Sequence, residues 1–179
     1  NHGTVKVKID GQDWLVDSGM LTNVPLPLKE KLYVHEDPHV GVEIEYVDGS
    51  HIVWIEFLPH SEYIPCRLRL DPVNYNYYHE RYENFSRQMS PFNNKLYLRK
   101  GGPEGAVVIA GGHEFQKTSD GMSVRGYSPD ELWARLQTLG GLSDTLVASW
   151  KASGSLESTY DETAGGPKLE VQGKRPSER

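Results

Sequence analysis

Apolar and polar positions alternate in the first part of the chain. Val5, Val7 and Ile9 interleave with Lys6, Lys8 and Asp10, and after Asp10-Gly11 an apolar run resumes at Trp14-Leu15-Val16. A two-residue alternation broken by Asp-Gly predicts a hairpin over Thr4 to Val16. The signal repeats further on. Val40 to Glu45 and Ile52 to Leu58 are strand-like and are joined through Asp48-Gly49, so about sixty residues read as antiparallel sheet. Between the hairpins, Pro25, Pro27 and Pro38 oppose regular ladder pairing, which predicts loop with short extended pieces over Met20 to His39.

The period changes after residue 72. Asn74 to Gln88 is rich in aromatic and charged side chains, and Tyr78, Tyr82 and Phe85 fall at rough helical spacing, predicting a short helix. Leu96 to Arg99 and Ala106 to Ala110 read as two strands around Gly-Gly-Pro-Glu-Gly. Ser128-Pro129-Asp130-Glu131 then supplies an N-cap, a proline at the first helical position and a capping-box glutamate. Leu132, Trp133, Leu136 and Leu139 fall on one face of the helix that follows, which ends at Gly140-Gly141. From about Lys151 onward periodicity vanishes among Gly, Ser, Glu, Lys and Pro, predicting a disordered tail. The expected organisation is an α+β protein, mainly antiparallel β. A β barrel or sheet over 1–71 is followed by a small α/β lid region over 72–149, and 150–179 is tail.

Composition narrows the function. With 179 residues the chain can bury a real core. Its formal net charge of −6, with no Lys/Arg stripe to neutralise phosphates, argues against nucleic acid as a partner. No apolar run approaches the roughly 20 residues that span a bilayer, and no signal peptide opens the chain, so a cytoplasmic protein without a membrane partner is expected. The single cysteine, Cys66, permits neither an internal disulfide framework nor a cysteine metal cluster. Because a strand begins within a few residues of Asn1, the chain reads as one that starts mid-domain.

Candidate chemistry lies at the open end of the first hairpin. His2 and Asp17 stand fifteen positions apart with the Asp-Gly turn near the middle, so antiparallel pairing brings them together. A carboxylate beside a histidine fixes its tautomer and stabilises the imidazolium, leaving the other ring nitrogen to activate a nucleophile. The plainer alternative makes His2 part of a frayed terminus and Asp17 the start of a turn before Ser18-Gly19. His35 and His39 stand four apart, but Pro38 interrupts the helix that would put them on one face, and His51, His60, His79 and His113 are scattered. These read as solvated loop histidines, and no metal is expected. Cys66 reads as a small buried hydrophobe in or beside a strand, with Arg67 directed to the opposite face.

Two blocks carry a family resemblance. Trp14-Leu15-Val16-Asp17-Ser18-Gly19-Met20, preceded by His2, resembles the arylamine N-acetyltransferase pattern in which a histidine opens a strand and Tyr-Leu-Val-Asp-Val-Gly-Phe-Gly closes the hairpin. Ser90-Pro91-Phe92-Asn93-Asn94-Lys95-Leu96-Tyr97-Leu98-Arg99 resembles that family's Pro-x-Ser-x-Phe element and the strand after it. The order and separation of the blocks, and the small C-terminal helix, are also similar, and the resemblance covers roughly residues 1 to 142.

It implies a cysteine-proteinase-like N-acetyltransferase fold in which His2 is the base and Asp17 its orienting carboxylate. Met20 and Phe92 would be substrate-binding residues, Met20 standing where the family usually has a phenylalanine. It also implies acetyl-CoA as acyl donor and a small arylamine or hydrazine as acceptor. The family's Arg-Gly-Gly-x-Cys element belongs to an N-terminal helical domain, so the resemblance implies a nucleophile outside these residues. Coenzyme A rests on the resemblance alone, because no phosphate-binding glycine loop is visible. Three other readings stay open: an amide synthase using a carrier-bound acyl chain, a binding module that has lost the nucleophile, and a Cys-His-Asp hydrolase or transglutaminase-like protein, against which the Ser90 to Arg99 block argues.

Overall fold

A computed structural model describes residues 3–35, 37, 39–56, 58–59, 62–86, 96–154 and 174–179. Eleven antiparallel strands form three sheets. The first contains β1 (Val5–Ile9), β2 (Gln12–Val16) and β3 (Leu26–Pro27). The second has the order β4 (Tyr33–His35), β5 (Val42–Val47), β6 (Ser50–Glu56) and β7 (Tyr63–Arg67). The third runs β8 (Tyr97–Gly102), β9 (Gly105–Ala110), β10 (His113–Thr118) and β11 (Gly121–Gly126) in chain order. No sheet closes on itself among the described residues; instead the three surround one core.

Both predicted hairpins form about their Asp-Gly turns. Asp10 and Gly11 lie at φ 50° and 79°, and Asp48 and Gly49 at 51° and 76°. Positive φ at both central residues gives a turn whose twist matches the strands it joins, and Asp and Gly tolerate it. β5 and β6 sit two residues nearer their turn than the apolar pattern suggested. Proline restricts the segment between the hairpins to the short strands β3 and β4, as expected.

The main core takes Leu15, Met20, Leu26 and Leu28 from the first sheet and its connections, Val42, Ile44 and Val53 from the second, and Ala106, Val108, Ala110 and Phe115 from the third. Each fully buried aliphatic side chain contributes about 1.5–3 kcal/mol. This core runs across the division expected at residue 71. Buried Glu56 and half-buried Lys117, with Lys117 Nζ 2.6 Å from Glu56 Oε1, also join the second sheet to the third.

A second core lies on the other face of β9. There Ile109 meets Leu132, Trp133 and Leu136 of a helix, α2 (Pro129–Gly140), that has the predicted capping box and stops at Gly141, φ 62°. A further helix, α3 (Asp144–Ala152), caps itself on Ser143, buries Val147 and sets Trp150 edge-on to Trp133, 5.3 Å between ring centres. The helix expected over 74–88 is α1 (Tyr75–Arg81) followed by a π-helical turn, Tyr82–Ser86.

Three expectations change. β10 and β11 form although their alternation is weak. Helix α3 crosses the expected tail boundary at 150 because Val147 and Trp150 find apolar partners. Residues 174–179, also expected to be tail, pack against β5 through a 3-10 turn, Pro176–Glu178, because their arginines and Ser177 meet buried carboxylates. Residues 155–173 lie outside the described residues. No helix among the described residues is long and apolar enough to cross a membrane.

Candidate active site

Asp17 leaves β2 in an extended conformation and caps the 3-10 turn Ser18–Met20, its Oδ1 accepting from Gly19 N at 2.8 Å. Aspartate suits this position because its short carboxylate satisfies an N–H that the turn leaves without a backbone acceptor. The side chain is 9% exposed. A carboxylate has two oxygens, so anchorage through Oδ1 is compatible with a second bond to an imidazole. The plain turn role and the orienting role are therefore not exclusive.

The turn is held from outside. Leu21 follows it at φ 60°, and its carbonyl approaches β8 so closely that a Cβ at Gly101 would lie 3.0 Å from it. On the other side, Val5 pairs with Val16, and Thr4 Oγ1 donates to Val16 O at 3.2 Å. The chain entering β1 thus arrives beside the residue that leaves β2. His2 lies outside the described residues, and so does Phe92. Met20 is 3% exposed and belongs to the main core, so in this chain it is a packed core side chain beneath the Asp17 turn.

Cys66 stands opposite Val53 in the β6–β7 ladder. Its residue is exposed as a whole, contrary to the buried hydrophobe expected. Burial of the sulfur's surroundings pushes the thiol pKa up, and the Asp17 charge raises it further. Both effects favour the protonated thiol, the opposite of what a nucleophilic cysteine needs. The proximity to Asp17 was not readable from a separation of forty-nine positions in the chain.

The histidines are more structured than expected. His51 is buried on β6, tilted against Tyr46 with 4.9 Å between ring centres, its Nε2 3.2 Å from Lys29 O. His35, on β4, places Nε2 3.7 Å from Asp37 Oδ2, and Asp37 Oδ1 accepts from His39 N and Val40 N at 2.7 and 3.2 Å. Strand pairing and a local Asx turn draw these side chains in. Groups of three or more His, Cys, Asp or Glu able to hold a metal do not occur among the described residues.

A cleft of about 560 Å³ opens elsewhere, between β10–β11 and α2, lined by Glu114, Arg125, Tyr127 and Arg135 among others. Its charges are largely matched internally. Arg135 donates twice to Glu114, at 2.5 and 2.9 Å, and the Tyr127 hydroxyl donates to the same carboxylate at 3.2 Å. Burial, and then the Glu114 charge, pushes the Tyr127 phenol pKa above its ordinary value. Neither Asp17 nor Met20 lines this cleft.

No family model matches the chain, and no curated protein does. Among solved structures, a cysteine-to-glutamine variant of the Mycobacterium smegmatis arylamine N-acetyltransferase superimposes with a TM-score of 0.71 over 89% of this chain, at 15% identity. The Mycobacterium abscessus arylamine N-acetyltransferase gives 0.67 over 87% at 18% identity. The Salmonella typhimurium enzyme gives 0.64 over 84% at 15% identity. The chain thus has the fold of arylamine N-acetyltransferases, as the two sequence blocks suggested. It spans about 60% of the length of these structures.

Proposed function

We propose that this chain is the His- and Asp-bearing part of an acetyl-CoA-dependent arylamine N-acetyltransferase whose nucleophilic cysteine lies outside these 179 residues, on an N-terminal helical domain. The observation that carries this reading is the buried Asp17, anchored through one carboxylate oxygen at the hairpin end where the chain enters β1, within a fold matched by three arylamine N-acetyltransferases. In the proposed reaction His2 takes the proton of the cysteine thiol while Asp17 fixes the tautomer. The thiolate attacks the acetyl carbonyl of acetyl-CoA, and the coenzyme leaves as its thiol after the proton returns. The nitrogen of an arylamine or hydrazine then attacks the thioester, releasing the amide and restoring the cysteine. Phe92 and Met20 are assigned to the acceptor side, Met20 from its place in the core beneath the Asp17 turn. The setting is a reducing cytoplasm, without nucleic-acid or membrane partners.

The protonated state of Cys66 supports a nucleophile from elsewhere over one from β7. The test is acylation of the natively expressed protein. Its intact mass states whether more chain is present, and incubation with acetyl-CoA should then give an acetyl adduct on a cysteine other than Cys66. Acylation only by a carrier-bound acyl chain would replace the reading with an amide synthase. No acylation by either donor would leave a binding module of the same fold.

A further inference from the structure

The outer face of the β5–β6–β7 sheet carries two carboxylates where a strand would ordinarily meet water. Glu43 and Glu45 project away from the core that Val42 and Ile44 enter, since alternate residues of a strand face opposite ways. Yet Glu43 is only 1% exposed and Glu45 only 9%. A carboxylate so deeply covered needs charged and hydrogen-bonding partners. Among the described residues, every hydrogen bond and ion pair of Glu43 comes from the 174–179 segment. Ser177 N donates to Oε2 at 2.9 Å, Ser177 Oγ donates to Oε1 at 2.5 Å, and Arg175 Nη1 lies 3.5 Å from Oε1.

Each carboxylate is paired with an aromatic ring, and each such pair holds one guanidinium. Arg175 lies over Tyr63, 4.5 Å from the ring centre, beside Glu43. Arg179 lies over Trp54 at 5.3 Å, with Nη1 3.5 Å from Glu45 Oε2. Trp54 Nε1 donates to Glu45 Oε1 at 2.8 Å and fixes that carboxylate from the sheet side. The spacings agree: two residues of strand separate the carboxylates by about 7 Å, and four residues of 3-10 helix separate the arginines by about 8 Å. The segment also braces itself, Arg175 Nε donating to Glu178 at 2.8 Å and Arg179 Nε to Lys174 O at 2.9 Å. A planar cation, stacked on a ring and facing a carboxylate, suits arginine better than lysine.

We propose that this face is a peptide-binding site for an Arg-x-Ser-x-Arg segment, occupied in cis by residues 175–179. The site reads two guanidinium groups and the hydroxyl between them, and its natural occupant is the chain's own segment. It lies on the opposite face of the sheet from Val53 and Cys66 and is independent of the acyl-transfer reading.

The test uses the whole chain and a fluorescein-labelled peptide of residues 174–179. In R175A/R179A, which leaves the sheet untouched, the site should be vacated and take the peptide with a Kd of roughly 0.1 mM or tighter. The intact chain should bind it at least tenfold more weakly, because a tethered segment acts at an effective concentration of roughly millimolar. Adding E43Q should abolish binding to the vacated site. In the intact chain the Ser177 amide should exchange at least tenfold more slowly than in the free peptide. Ser177 exchange at the free-peptide rate overturns the proposal. So does equal binding to both chains, or no binding to R175A/R179A at millimolar peptide.

Discussion

The β1–β2 and β5–β6 hairpins use the same Asp-Gly turn at nearly the same dihedral angles and share little else. In β5–β6, Val42, Ile44 and Val53 are fully buried. In β1–β2 only Leu15 is buried to that degree, and Val5 and Ile9 are 58% and 50% exposed. A turn sequence decides that two strands pair; what lies above and below decides whether they carry the fold. The lightly covered hairpin ends at Asp17, itself buried where the chain turns inward, and the deeply covered one supplies much of the main core.

The sharpest way to break this division of labour is Asp17→Asn in the complete protein. Acetyl transfer should fall by about three to four orders of magnitude through loss of the tautomer constraint, with the denaturation midpoint nearly unchanged. Activity near wild type would remove Asp17 from the mechanism. Next in size, Ile44→Ala should cost about 2–5 kcal/mol in urea unfolding, whereas Ile9→Ala should stay within about 0.5 kcal/mol. Similar values at the two sites would mean that the first hairpin is covered after all.

A smaller effect comes from Tyr97, whose hydroxyl donates to Leu58 O at 2.8 Å and ties the end of the core hairpin to β8. Burial pushes its pKa up to about 12, from the 10.0 of a free phenol. The folded state therefore holds the proton more tightly than the unfolded chain. The stability this contributes is complete below pH 10 and is lost as pH rises towards 12. Tyr97→Phe should flatten that alkaline decline relative to the parent, and an unchanged slope would contradict the assignment. At the turns themselves, Gly11→Ala and Gly49→Ala should each cost about 1–2 kcal/mol. Neither new Cβ meets an atom within 4 Å, so the cost is that of backbone conformation alone. Unequal costs would show that the two turns differ in more than the strands they join.

Local chemistry was the legible part of this fold. The two Asp-Gly turns, the prolines of 25–38 and the capping box at Ser128 each act through neighbours in the chain, and all three appear where the residues put them. β10 and β11 are joined through Ser119-Asp120, with Thr118 opposite Gly121, but Gln116, Lys117 and Arg125 hide the alternation. Sheet-to-sheet relations were not legible. Cys66 within reach of the Asp17 charge, Lys117 on Glu56 and Ser177 on Glu43 depend on distant segments meeting, for which no spacing rule exists. The tail boundary failed for the same reason: Arg175 and Arg179 read as solvated charge until a buried carboxylate is known to face each. Of the candidate site, Asp17 caps the turn that its neighbours Ser18-Gly19 announce, Met20 is a core residue, and His2 and Phe92 lie outside the described residues.

Strand β9 sends Ala106, Val108 and Ala110 into the main core and Ile109 into the helical one, which is why it reads as an unbroken apolar run. One strand is thereby a party wall between two otherwise separate interiors. Neither interior can be opened without stripping a face of that wall, so heat should melt the sheets and the α2–α3 pair in a single calorimetric step. An evolving or engineered chain is correspondingly constrained at residues 106–110, where successive side chains fill one interior and then the other.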